Sequence, residues 1–171
     1  PETKIHVIDS LSAGPEMELI IDKLKESIDA GLNFDEICAK INAYKEKTHL
    51  NFALESLDNL AKNGRISPAV AKVAKMLKIR IIGRPDDGKL TPVGKARGAK
   101  KTISYLIKDM EEHGFSNGRV IIAHILNEEG AENLKQTILD KHPEASVEIR
   151  EARGLCTYYA QKGGLMVGYE A

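Results

Sequence analysis

The sequence predicts a mixed α/β fold of the α+β kind, with one sheet of mixed strand direction and helices on one side. Strand-like and helix-like apolar periods alternate along its 171 residues. Val120, Ile121, Ile122 and Ala123 form an unbroken apolar run, the pattern of a central strand covered on both faces. Two further apolar runs, at 79–83 and 90–94, flank Asp86, Asp87 and Gly88 and read as a hairpin, so antiparallel pairing must accompany any parallel pairing.

The elements follow in order. Ile5, Val7 and Ile8 read as a first strand ended by Asp9 and Ser10. A helix starts near Pro15, with Met17, Ile20, Ile21, Leu24 and Ile28 on one inward stripe and Gly31 as its stop. Asn33 can cap the next helix, with Glu36 reaching back to it, over a buried face of Phe34, Ile37, Cys38 and Ile41. After Lys45, Lys47 and His49 the period changes, and residues 50–54 read as a strand leading to a short helix that ends at Asn63 and Gly64. That change is a candidate domain boundary.

Ser67 and Pro68 are a cap and first-turn pair for a helix that carries Val70, Val73, Ala74 and Leu77 on one face. Ile103, Leu106, Ile107 and Met110 mark a helix closed by Gly114, and Ala131, Leu134 and Ile138 mark another stopped by Pro143. Val147 and Ile149 alternate with Glu148 and Arg150 in a half-exposed strand, and a Gly-rich turn at Gly163 and Gly164 precedes the last strand at 165–169.

Composition narrows the function. The 25 Lys and Arg balance the 25 Asp and Glu, which removes a global charge argument for nucleic acid or an anionic membrane as partner. Cys38 and Cys156 stand alone, so a disulfide framework, a zinc site and a redox pair are all disfavoured, and a reducing cytoplasm is the expected compartment. No stretch approaches the roughly 20 apolar residues of a membrane span. The chain opens at Pro1 with neither a leader nor a starting methionine, so a segment upstream is expected.

Several groups could carry chemistry. In GKARGAKK at 94–101, Lys95, Arg97, Lys100 and Lys101 fall where a strand passes into a helix, which suits an anion and equally suits a solvated basic face. Arg65 follows Gly64 at a helix corner, where it can meet a ligand or tie down nearby carbonyls. His6, His49, His113, His124 and His142 lack metal-ligand spacing, and His124 stands out only for closing the apolar strand. Ser10, Ser12 and Cys156 have no companion base or oxyanion motif, so no catalytic residue is named and no metal or cofactor is expected.

Five segments in order carry a resemblance. VIDSLSAG at 7–14, LDNLAKNGRIS at 57–67, MLKIRIIGRPDDGKLTPVGKARGAKK at 76–101, VIIAHIL at 120–126 and GLCTYYAQKGGLMVGYE at 154–170 resemble the DegV family along the whole chain. The resemblance implies a C-terminal portion of such a protein: residues 1–48 end an α/β/α parallel-sheet domain, and 49–171 form a second, two-layer domain with a mixed sheet. It also implies a bacterial carrier that encloses a long-chain fatty acid between two α/β domains, presents it to a fatty acid kinase and performs no catalysis itself.

On this resemblance Arg97 matches the family Arg near the lipid head group and the kinase, with Lys95 and Arg65 expected as further partner contacts. Phe52 and Ile81 are expected to line the tail. Tyr159 stands where the family usually has His in a Thr-His-x-Gly-Pro-Gly context, and Tyr donates a hydrogen bond yet stays neutral at pH 7. The Ser and Thr hydroxyls that hold the carboxylate in the family belong to earlier segments that this chain lacks. Two other readings remain: a small-ketose enzyme of the related glycerone-kinase superfamily, which needs a covalent substrate-binding His, and a regulatory or nucleic-acid module using the basic corner. Only 5% of residues are aromatic, which leaves few stacking platforms for the latter.

Overall fold

The computed structural model describes residues 3–171; Pro1, on which the reading of the chain start rests, lies outside the described residues. Helices α1 (Pro15–Asp29) and α2 (Phe34–Lys45) precede strand β1 (Thr48–Leu54), α3 (Asp58–Lys62) and α4 (Pro68–Met76). The hairpin β2 (Arg80–Asp86) and β3 (Lys89–Ala96) comes next, then α5 (Ala99–Glu112), β4 (Arg119–His124), α6 (Glu128–Lys141), β5 (Ser146–Glu151), α7 (Gly154–Ala160) and β6 (Leu165–Glu170). They build one sheet in the order β3-β2-β1-β6-β4-β5, in which β4 and β5 alone run parallel. The mixed α/β class expected from the sequence is therefore the observed one.

Local signals act as their chemistry requires. The Asn33 side chain accepts from the amides of Asp35 and Glu36 at 3.0 and 3.1 Å, while the Glu36 carboxylate accepts from the Asn33 amide at 2.9 Å. Ser67 accepts from the Val70 amide at 3.3 Å, with Pro68 in the first turn of α4. Asp87 and Gly88 both adopt positive φ, 48° and 71°, which is the two-residue loop whose twist suits a hairpin.

Alternation along β4 sorts the core. Val120 and Ile122 pack with Leu106, Ile107, Met110, Leu134 and Ile138 of α5 and α6 on one face. Ile121 packs with Leu19, Ile20, Ile41 and Tyr44 of α1 and α2 on the other, and Ala123 joins the cluster of Leu60, Ala71, Ala74 and Ala160 from α3, α4 and α7. Helices thus cover both faces, and the expectation of helices on one side is corrected. Strand β4 is buried on both faces as its apolar run demands, yet β1 and β6 occupy the middle of the sheet.

Other expectations fail for identifiable reasons. Ile5, Val7 and Ile8 form no strand, since residues 3–10 have no sheet partner and Ile5 and Val7 are 82% exposed. In α1 the period is right and the phase is off by part of a turn: Ile20 is buried and Leu24 packs half-buried beside it as expected, but Leu19 is buried too, whereas Met17, Ile21 and Ile28 face outward. Its seat is set by Gly168 of β6, where a Cβ would lie 2.6 Å from the Glu16 amide nitrogen, so only glycine lets the first turn sit this close. In α2, Ile41 is buried but Phe34 is exposed. Helix α4 buries Ala71 and Ala74 and exposes Val70, Val73 and Leu77, because small residues permit the close approach to α3. Helix α7 was not expected at all.

Candidate functional site

The strand register lays one transverse row of residues across the sheet. Pro92 pairs with Gly83, Gly83 with Phe52, Phe52 with Met166, Met166 with Ala123, and Ala123 with Arg150. Directly paired residues share a face, so the row forms a continuous floor on the side covered by α1, α3 and α7. From Pro92 to Ala123 it crosses β3, β2, β1, β6 and β4, a distance of ~19 Å at the usual inter-strand spacing.

Two cavities stand on this floor. One, of about 590 Å³, is lined by Leu50, Phe52 and Leu54 of β1, Leu60 of α3, Leu90 and Pro92 of β3, and Tyr159 of α7. The other, of about 730 Å³, is lined by Met17 at the start of α1, Ala123 of β4, and Ala152 and Arg153 ahead of α7. Ala13, Leu155, Cys156 and Met166 border both, so the cavities adjoin as one apolar trough. Leu155 is 66% exposed, an unusual position for a large apolar side chain at the junction of two concavities.

Charged groups join the lining of both cavities: Glu18, Arg150, Glu151 and Arg153 belong to the second. Arg65 and Lys89 border the first cavity. At the far end of the row Arg150 bonds to Glu18, Asp22 and Glu148 at 2.8–2.9 Å. Burial alone would lower the Arg150 pKa, but these three carboxylates outweigh it and hold the guanidinium charged. Burial pushes the Cys156 thiol up, and the nearby Glu18 charge adds to this, so the thiol is not activated as a nucleophile. Among the described residues no group of three or more His, Cys, Asp and Glu side chains converges to hold a metal ion.

The structure brings Phe52, Tyr159 and Arg65 to one cavity. Asn59 donates to the Tyr158 carbonyl at 2.7 Å and Asn63 to the Tyr158 hydroxyl at 3.0 Å, which ties α7 to the corner that carries Arg65. Ile81 is half-buried, pairs with the cavity-lining Leu54 and packs against the same cluster, but is not itself among the residues that line the cavity. Arg97 lies elsewhere: it is exposed in a separate cleft of about 460 Å³ with Glu55, Lys75, Lys78 and Arg80, at the entry to α5. Lys95 is exposed on β3 beside it. Glu55 bonds to Arg80 and abuts Gly163, where any Cβ would collide with its carboxylate, so this cleft backs onto the turn that follows α7.

His124 is buried and its Nδ1 accepts from the Asn127 amide at 3.3 Å, while Asn127 caps α6, so this histidine serves the turn. Leu155, Met166, Leu90 and Pro92 carried no sequence signal of their own, because an apolar residue on a cavity wall looks the same as one in the core. The paired register that aligns them is visible only in the folded sheet.

Fold and trough together define a mixed α/β domain built around an elongated apolar cleft. The chain belongs to the DegV family, whose model matches residues 1–171. It is 44% identical to a DegV domain-containing protein of Streptococcus pneumoniae, over 99% of this chain and 61% of that protein. Among solved structures it is similar to a DegV family protein from Eubacterium eligens loaded with heptadecanoic acid, with 40% identity, TM-score 0.94, and 98% of this chain and 61% of that one covered. It is similar also to the Streptococcus pneumoniae Fatty Acid Kinase (Fak) B3 protein loaded with linoleic acid, with 44% identity, TM-score 0.94, and 98% and 60% covered. The chain thus spans about three fifths of the length of these relatives.

Proposed function

We propose that this chain is the larger part of a carrier that encloses one long-chain fatty acid and presents its carboxyl end to a fatty acid kinase. The observation that carries the reading is the trough: an apolar floor ~19 Å long is long enough for an acyl chain, which spans about half, roughly 15 Å, of a bilayer hydrocarbon core of roughly 30 Å. Each methylene transferred from water to such a floor gains about 0.8 kcal/mol, so a long tail supplies most of the affinity. The relatives loaded with heptadecanoic and linoleic acids support the same ligand class here.

In this reading residues 1–48 complete a first α/β/α domain with the sequence upstream, and 49–171 form the second, on whose sheet α1 and α2 rest through Leu19, Ile20 and Ile41 against Ile121. Phe52 lines the tail, with Ile81 packed in the same cluster, while Tyr159 and Arg65 lie nearer the open side. The cleft of Arg97, with Lys75, Lys78 and Arg80 around it and Lys95 beside it, suits an acidic kinase surface or a carboxyl group being phosphorylated. The carrier works in the cytoplasm and leaves the chemistry to its partner. Among the described residues no helix is long and apolar enough to cross a membrane.

Organic extraction of the purified full-length protein, followed by mass analysis, tests the reading. A stoichiometric long-chain fatty acid is expected. Protein of native stability that carries none, and takes up none when fatty acid is added, would overturn it.

A further inference from the structure

One glycine on the trough floor is required by space rather than by backbone conformation. Gly83 lies outside the positive-φ set, so its dihedrals do not demand glycine. The register shift between β2 and β3 sets Ile82 opposite Gly94 and Gly83 opposite Pro92, which leaves Val93 on β3 as the unpaired residue, so the irregularity does not explain Gly83 either. What does explain it is the space around it, closed by the Thr91 carbonyl at 2.8 Å from a Cβ and, closer still, by Phe52, its cross-strand partner. A Cβ at Gly83 would lie 2.5 Å from Phe52 Cζ and 2.7 Å from Cε2, so the ring rests in the place a side chain would take. Phe52 is only 6% exposed, yet it borders the first cavity together with Pro92 on the other side of Gly83.

We propose that the Phe52–Gly83 pair is the gauge of acyl-chain length at this end of the trough. The inference rests on the fatty-acid reading and adds the residues that decide which chains fit. With no side chain at 83, the ring recedes over β2 and leaves the floor free. Any larger residue there forces the ring into the cavity. A smaller residue at 52 opens the same space from the other direction. The two substitutions therefore act on one volume with opposite sign, which an ordinary packing defect would not do.

The test uses the full-length protein as wild type, Gly83→Ala, Phe52→Leu and the double variant, with myristic, palmitic, stearic and linoleic acids in competition. Gly83→Ala should shift preference toward the shorter chains, by about fourfold for each methylene that no longer fits. Phe52→Leu should shift it toward the longer chains, and the double variant should return close to wild type. Should Gly83→Ala fail to fold, because Thr91 O would also lie 2.8 Å from the new methyl, the Phe52→Leu profile decides alone. Wild-type binding with an unchanged profile in Phe52→Leu, and in Gly83→Ala if it folds, overturns the gauge and leaves the fatty-acid reading standing. No binding by any form, wild type included, overturns both.

Discussion

Leu155 offers the most direct access to the trough, because it borders both cavities and is already exposed. Full burial of a leucine side chain contributes about 1.5–3 kcal/mol relative to exposure. With 66% of the residue still in water, a ligand that covers it recovers roughly two thirds of that, about 1–2 kcal/mol. Replacing Leu155 by Ser should therefore weaken fatty-acid binding about five- to thirtyfold. Stability should hardly change, since an exposed side chain with no hydrogen-bond role typically alters folding by ±0.5 kcal/mol or less. Displacement of a fluorescent fatty acid from full-length protein measures the affinity, and urea unfolding measures the stability. Unchanged affinity would mean that the ligand does not lie at the junction of the two cavities. A large loss of stability would make Leu155 part of the core, and the exposure argument would fail.

Three further outcomes are expected. Arg97→Ala should leave the thermal midpoint and lipid retention near wild type while phosphate transfer with the cognate kinase falls sharply, and Arg97→Lys should not restore it fully, since Lys lacks the planar bidentate fork; normal transfer in the Ala variant would make the cleft a solvated surface. Gly168→Ala should cost about 1–3 kcal/mol in denaturant unfolding, because the new methyl meets the backbone of Pro15 and Glu16, which has nowhere to relax; a midpoint equal to wild type would mean that α1 is free to shift. Glu16 is buried and burial raises its pKa above the ordinary 4.5, so the folded state holds the proton more tightly than the unfolded one. Stability contributed by this group is then full below that value and is lost as pH rises through the folded pKa. The difference in thermal midpoint between Glu16→Gln and wild type should accordingly widen in favour of Gln as pH rises from 4 to 7, and a pH-independent difference would contradict the shift.

The sequence by itself determined those features whose causes are local. Asn33 and Glu36 cap α2, Ser67 and Pro68 open α4, and the Asp87–Gly88 loop closes the hairpin, because each of these needs only a few neighbouring residues. The double burial of β4 was legible for a similar reason: four consecutive apolar residues leave no face for water. Which face of a helix turns inward was legible for α5 and α6, whose stripes Ile103, Leu106, Ile107, Met110 and Ala131, Leu134, Ile138 are all buried, and only in part for α1 and α4, since the 3.6-residue period states that a stripe exists but its phase depends on the surface it meets. Gly168 decided that phase for α1, and Ala71 and Ala74 decided it for α4. Helix α7, whose seven residues show no clear apolar stripe, forms with only Ala160 fully buried against the sheet cluster. The trough belongs wholly to the tertiary structure, for it exists only because five strands bring Pro92, Gly83, Phe52, Met166 and Ala123 into one row, and no linear pattern records which residue will stand beside which across a sheet.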